Sequence, residues 1–96
     1  MRNEKKKILI VEDELLIAED LKQLLKKTGY DITQIVTSGE AAIASVKEYK
    51  PDLIFMDIVI EGQINGIDAA AKIHDKYGIP IVFLTAWSDE ETLKNA

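Results

Sequence analysis

Apolar residues along this chain follow two alternating patterns. Short apolar or β-branched segments at residues 8–11, 32–36, 53–56 and 81–84 predict buried strands. Between them, apolar residues recur every three or four positions, which is typical of one face of a helix. In the first such stretch, residues 14–27, the predicted apolar stripe consists of Ile17, Ala18, Leu21, Leu24 and Leu25.

Start and stop signals divide the remaining stretches into further helices. Residues 37–40 fit a capping box and open a helix that runs to about residue 49, before Pro51. A third helix is predicted over 67–77 and closed by Gly78, and a second capping box at 88–91 opens a fourth. Buried strands that alternate with helices predict an α/β fold with a parallel sheet covered on both faces.

Composition limits the classes of function. The chain has 96 residues, which is room for one small domain over residues 1–96. Its net charge of −5 argues against binding to nucleic acid or to an anionic membrane. It has no cysteine, which excludes disulfides and thiolate metal sites and is compatible with the cytoplasm. Nothing approaches the roughly 18 apolar residues of a membrane-spanning helix.

Acidic and hydroxyl residues stand at the ends of the predicted strands. In an open parallel sheet, functional sites lie outside the carboxyl ends of the strands. Glu12 and Asp13 follow the first strand, Asp57 follows the third, and Thr85 and Ala86 follow the fourth. If the first and third strands are neighbours, the three carboxylates converge and repel one another. The cation Mg²⁺ would relieve that repulsion with oxygen ligands, and an ionised aspartate is already a nucleophile toward phosphorus.

Simpler structural roles remain open for several of these residues. Glu12 and Asp13 could merely begin the first helix, with Asp13 as its N-cap. Thr85 could be only a β-branched strand end. Asp57 is harder to explain in this way, because it ends an apolar strand and is not followed directly by a helix.

Taken together, four segments resemble the response-regulator receiver domains of two-component signalling. They are residues 11–14 (VEDE), 55–58 (FMDI), 65–66 (NG) and 84–86 (LTA). Their order, spacing and strand context all agree with that family, and the match covers essentially the whole chain. The resemblance implies a flavodoxin-like three-layer αβα sandwich, with a parallel sheet in strand order 2-1-3-4.

The resemblance also implies roles for individual residues. Asp57 would accept a phosphoryl group from a sensor histidine kinase or a histidine phosphotransfer protein. Asp13 would bind Mg²⁺ directly, Glu12 would bind it through water, and the backbone carbonyl of Val59 would be a further ligand. Thr85 would move toward the phosphoryl group, and Ala86 would leave room for that movement and donate a backbone N–H.

Two departures from the family pattern stand out. The proline that usually follows the phosphoacceptor is absent, since residues 60–63 read IEGQ, and the loop is one residue longer. The family's fifth strand and helix, with the lysine that pairs with the phosphoryl group, would lie beyond Ala96. We therefore expect a receiver domain that is incomplete at its carboxyl end.

These considerations leave three hypotheses. The first is an Mg²⁺-dependent phosphoacceptor switch that is not a metabolic enzyme. The second is a phosphorylation-incompetent fragment that associates through exposed apolar surface, as a homodimer or a domain-swapped assembly. A phosphatase or hydrolase with an aspartate nucleophile is more distant, because such enzymes usually place a second acid at the position of Val59.

Overall fold

A four-stranded parallel sheet forms the centre of the protein. The computed structural model describes residues 5–60 and 62–84. The strands are β1 (Lys7–Val11), β2 (Asp31–Val36), β3 (Leu53–Asp57) and β4 (Ile81–Leu84). The helices are α1 (Leu15–Lys27), α2 (Gly39–Tyr49) and α3 (Gly66–Tyr77). The predicted bounds of these elements differ from the observed ones by no more than one residue, whereas the helix predicted from Ser88 lies outside the described residues.

The strand order is β2-β1-β3-β4, and every neighbouring pair is parallel. This order confirms the prediction from the family resemblance. The register between β1 and β2 shifts between Ile8 and Leu9, which leaves Thr33 as an extra residue in β2. β1 and β3 are the central strands, but only β1 is buried on both faces; in β3, Ile54 and Met56 are buried and the opposite face is half-buried.

Helices cover the two faces of the sheet, so the molecule has three layers. On one face, α2 and α3 pack on β1 and β3 around a core of nine buried residues: Leu9, Val11, Val36, Ala42, Val46, Ile54, Met56, Ala69 and Ile73. On the other face, α1 packs on β1 around four buried residues: Ile8, Ile10, Ala18 and Leu25. The predicted αβα sandwich is therefore confirmed for the described residues.

The apolar face of α1 is narrower than the sequence predicts. Ala18 and Leu25 are buried in the core, but Ile17 is 47% exposed and Leu24 is 60% exposed. Leu16, outside the predicted stripe, is 83% exposed. Within the described residues α1 has no helix beside it on its face of the sheet, so only the side chains that point straight at the strands are covered.

The start of α2 also differs from the prediction. Its N-cap is Ser38, whose hydroxyl oxygen accepts a hydrogen bond from the backbone N–H of Ala41 at 3.1 Å. In the predicted capping box, Thr37 would be the cap and Glu40 would reach back to it. Glu40 instead extends away from the helix toward the loop before α3, where it accepts a hydrogen bond from the N–H of Gln63.

No helix in the part of the chain described by the structure is long and apolar enough to cross a membrane. The longest, α1, has 13 residues and carries charged side chains along its length.

Candidate metal centre at the carboxyl end of the sheet

Strand register brings the acidic residues of β1 and β3 to the same level. Val11 is paired with Met56, so Glu12 and Asp57, the next residue on each strand, are neighbours across the sheet. On the other side, the backbone N–H of Glu12 donates to the carbonyl oxygen of Val36 at 2.9 Å. Glu12 is thus held between β2 and β3 at the point where the apolar core ends.

Three carboxylates meet at this edge of the sheet. One oxygen from each of Glu12, Asp13 and Asp57 lies within 4.8 Å of the others. Glu12 is buried, with 3% of its surface exposed, whereas Asp13 and Asp57 are half-buried. The structure therefore brings together the residues that the strand-end rule singles out from the sequence.

Backbone N–H groups orient two of these carboxylates. Glu12 Oε2 accepts from the N–H of Glu14 at 3.0 Å, and Asp57 Oδ1 accepts from the N–H of Val59 at 3.2 Å. The N-cap of α1 is Glu14, and no side chain caps this helix. The alternative in which Asp13 serves as the N-cap is therefore wrong, and its carboxylate remains directed to the acidic cluster.

Burial, with a smaller contribution from the neighbouring acids, raises the pKa of Glu12. Removal from water raises the pKa of Glu12 to about 7. The N–H of Glu14 acts in the opposite direction, and the charge of Asp57 together with hydrogen bonds to Asp57 and Asp13 adds to the rise. Near neutral pH Glu12 is therefore partly protonated, and a bound cation would displace that proton.

The donor set fits a hard divalent cation. Carboxylate oxygens are the ligands that Mg²⁺ prefers, and the open side of the cluster leaves room for water or phosphate oxygens. Asp57 is half-buried, and its role as the phosphoacceptor stays a prediction. The side chain of Val59 is exposed and its N–H bonds Asp57, while a metal-ligand role for its carbonyl stays a prediction. Thr85 and Ala86 lie outside the described residues.

One residue at this site has a closer role than the sequence indicated. The sequence predicts that the third helix begins at residue 67, but Gly66 is the first residue of α3, and its N–H donates to the carbonyl of Ile58 at 2.9 Å. A Cβ at this position would overlap the carbonyl oxygen of Asp57. Asn65 caps the same helix by accepting from the N–H of Asp68 at 2.8 Å. The Asn-Gly pair before an amphipathic stretch was the available signal for this close packing.

Comparison with known proteins identifies the family of this chain. The family model for the response regulator receiver domain matches residues 8–96. The transcriptional regulatory protein PdtaR of Mycobacterium tuberculosis is 40% identical over 91 residues, which are 95% of this chain and 44% of PdtaR. The chain thus spans less than half the length of this relative.

Solved structures share the fold. The crystal structure of the response regulator PhyR from Brucella abortus superposes with a TM-score of 0.81 at 33% identity, over 88% of this chain and 35% of that one. The signal receiver domain of a modulated diguanylate cyclase from Desulfovibrio desulfuricans gives 0.82 at 33% identity, over 95% and 72%. By sequence, sheet order and acidic cluster alike, the chain belongs to the response-regulator receiver domains, a family of phosphorelay signalling.

Proposed function

We propose that this protein is an Mg²⁺-dependent phosphoacceptor that changes conformation when Asp57 is phosphorylated. The convergence of Glu12, Asp13 and Asp57 within 4.8 Å carries the proposal. Without a bound cation such a cluster is unfavourable, because each ionised carboxylate raises the free energy of ionising its neighbours. The arrangement is suited instead to binding a cation beside a nucleophile.

In the proposed reaction, an Asp57 carboxylate oxygen attacks the phosphorus of a phosphohistidine on a partner kinase or phosphotransfer protein. The new O–P bond forms an acyl phosphate, the P–N bond breaks, and the imidazole leaves. A bound Mg²⁺ would neutralise charge on the phosphoryl oxygens. Glu12, Asp13 and Asp57 would hold the ion, and the N–H of Val59, 3.2 Å from Asp57 Oδ1, orients the nucleophile.

The switch role belongs in this proposal to Thr85 and Ala86. Thr85 directly follows Leu84, which is paired with Asp57 across the sheet. In the proposed switch, the Thr85 hydroxyl would form a hydrogen bond to an oxygen of the phosphoryl group. In this proposal the protein catalyses only its own phosphorylation and dephosphorylation and is not a metabolic enzyme. It would act in the cytoplasm, together with its kinase partner.

Phosphorylation by a small donor tests this function directly. We expect acetyl phosphate with Mg²⁺ to add one phosphoryl group to the protein, detected by mass spectrometry of the intact chain. Asp57→Asn should abolish the addition, and removal of Mg²⁺ with a chelator should do the same. Asp20→Asn, an exposed aspartate on α1, is the matched control and should behave like the unmodified protein. Equal phosphorylation of the Asp57→Asn variant would refute the proposal.

A second candidate function is self-association, and the exposed face of α1 favours it. Leu15 and Leu16 are 64% and 83% exposed, and Leu24 is 60% exposed. Burial of these side chains in a homodimer would stabilise it. Sedimentation velocity at increasing concentration tests this function, with Leu16→Glu expected to shift a dimer to monomer. A single monomeric species at all concentrations would rule it out.

A further inference from the structure

The loop that follows Asp57 is held by the amino end of α2. Residues 58–65 contain no proline, so the sequence itself does not fix the backbone there. Residues 62–64, here called the docking segment, lie against Ser38, Gly39 and Glu40. Gly62 adopts a φ of 101°, and a Cβ there would collide with the carboxylate of Glu40. The positive φ favours glycine here, and the missing side chain leaves room for the Glu40 carboxylate beside the backbone.

Two interactions fix the middle of the docking segment. Glu40 Oε2 accepts a hydrogen bond from the N–H of Gln63 at 3.0 Å. The side chain of Ile64 packs so closely on Gly39 that a Cβ at residue 39 would lie 2.7 Å from Ile64 Cγ1. One polar and one apolar contact therefore anchor adjacent residues of the segment to α2.

The charge of Glu40 favours this arrangement. Hydrogen bonds from its own backbone N–H, and then from those of Gln63 and Ile64, hold the pKa of Glu40 below its ordinary value. The carboxylate is therefore ionised at neutral pH, and hydrogen bonds to an ionised acceptor are stronger than neutral ones. It also lies in the first turn of α2, where the helix dipole favours negative charge.

The ends of the loop are fixed by other means. At the strand end, Gly66 donates to the carbonyl of Ile58, and at the helix end Asn65 caps α3. Between these points runs the stretch that contains Val59, the residue whose backbone contacts Asp57. Val59 and the docking segment belong to the same loop, so we expect that loss of order in the docking segment would loosen the backbone beside Asp57.

We propose that Glu40 is a positioning residue for the metal centre: by holding the docking segment, it fixes the Val59 backbone beside Glu12, Asp13 and Asp57. This inference rests on the proposed function, because it concerns the affinity of that centre for Mg²⁺. Groups that orient metal ligands from outside the ligand set typically change metal affinity by about 10–100-fold when they are removed. Since Glu40 acts through a loop, we expect an effect at the lower end, about tenfold.

Three substitutions at residue 40 separate contact from charge. Glu40→Gln removes the charge but keeps a carbonyl oxygen within reach of the Gln63 N–H. Glu40→Asp keeps the charge but shortens the side chain by one methylene. Glu40→Ala removes both. Glu48→Ala, an exposed glutamate on the same helix, is the control. The readouts are the Mg²⁺ dissociation constant from NMR titration of the Gly66 amide, and the hydrogen-exchange rate of the Gln63 amide.

We expect Glu40→Ala and Glu40→Asp to weaken Mg²⁺ binding about tenfold and to speed exchange at Gln63. Glu40→Gln keeps an acceptor but loses the charge, so it should fall between Glu40→Ala and the unmodified protein, whereas Glu48→Ala should change neither quantity. The maximal phosphorylation rate at saturating Mg²⁺ should change little in any of these variants, because Glu40 touches no reacting atom.

Other outcomes overturn the inference and can be told apart from failure of the proposed function. If Glu40→Asp binds Mg²⁺ normally and Glu40→Gln does not, charge alone is responsible and the contact is irrelevant. If Glu40→Ala speeds exchange at Gln63 but leaves the dissociation constant unchanged, the segment does not position the centre. If the unmodified protein itself fails to bind Mg²⁺, the proposed function falls and this inference falls with it.

Discussion

The interior of β1 and β3 and the carboxyl ends of the same strands are built on opposite principles. In the interior, Ile10 and Ile54 are fully buried among apolar side chains. Two residues after Ile10 and three after Ile54, Glu12 and Asp57 meet as carboxylates at the same edge of the sheet. Glu12 is almost as buried as the core, but its pKa is raised to about 7 because its ionised form is unfavourable there.

The apolar residues of the interior stabilise the fold, whereas the acidic residues at the strand ends lower its stability. Burial of a large apolar side chain favours folding by about 1.5–3 kcal/mol. Burial of a carboxylate near two others opposes folding, so a protein selected for stability alone would not have this cluster. Substitutions in the two regions should therefore change stability in opposite directions.

The largest expected effect comes from the interior. Ile54→Ala should lower the free energy of unfolding by about 2–5 kcal/mol, because it leaves a cavity between the sheet and the helices α2 and α3. Urea denaturation followed by circular dichroism measures this value. Leu16→Ala removes a similar volume from a side chain that is 83% exposed, and it should change stability by less than about 0.5 kcal/mol.

These two variants also test whether the face of α1 that carries Leu16 is exposed in solution. Equal losses in the free energy of unfolding for Ile54→Ala and Leu16→Ala would mean that this face of α1 is covered in solution. Leu16 would then behave as an interior residue. Sedimentation analysis of the same samples would identify a second copy as the cover.

The next effect comes from the acidic cluster and has the opposite sign. The carboxyl of Glu12 has a pKa near 7 in the folded protein but near its ordinary value of about 4.3 in the unfolded chain. Between these values the folded state binds the proton more tightly, so metal-free stability should fall as the pH rises through about 7. Glu12→Gln should remove this dependence and stabilise the metal-free protein at pH 8 on the order of 2 kcal/mol.

Mg²⁺ sharpens the same experiment. At pH 8 the ion should stabilise the unmodified protein, because it binds the folded state, whereas Glu12→Gln should gain much less. Thermal unfolding at pH 5 and pH 8, with and without Mg²⁺, gives all four comparisons. A metal-free protein that becomes more stable from pH 5 to pH 8 would contradict the raised pKa of Glu12.

Much of the fold could be predicted from the sequence, because strands and helices are indicated by local patterns of apolar residues. The four strands and three helices of the described residues, and the positions of Glu12 and Asp57 at strand ends, follow from apolar runs and helix periodicity. The strand order came instead from the family resemblance, since periodicity alone does not say which strands are neighbours. The exposed flank of α1 was missed, because a helical stripe shows which side chains are apolar but not how many the neighbouring elements cover.

The details of the site were harder to predict from the sequence, because they depend on contacts between distant parts of the chain. Glu40 fitted a local capping pattern, yet it bonds Gln63 in a loop far along the chain. Gly66 carried a turn signal, yet its lack of a side chain serves close contact with the backbone of Asp57. Both roles depend on which elements become neighbours in space, and no pattern within a single helix or loop encodes that.

The smallest expected effect concerns a polar group inside the apolar region. Ser45 on α2 is buried, and among the described residues its hydroxyl has no hydrogen-bond partner. Ser45→Ala should stabilise the protein by up to about 1 kcal/mol, because it removes an unpaired buried group and favours the helix. Ser38→Ala is the matched control: it removes the hydroxyl that caps the same helix and should destabilise by about 1 kcal/mol. Urea denaturation of both variants measures the signs, and destabilisation by Ser45→Ala would mean that this hydroxyl is paired in solution.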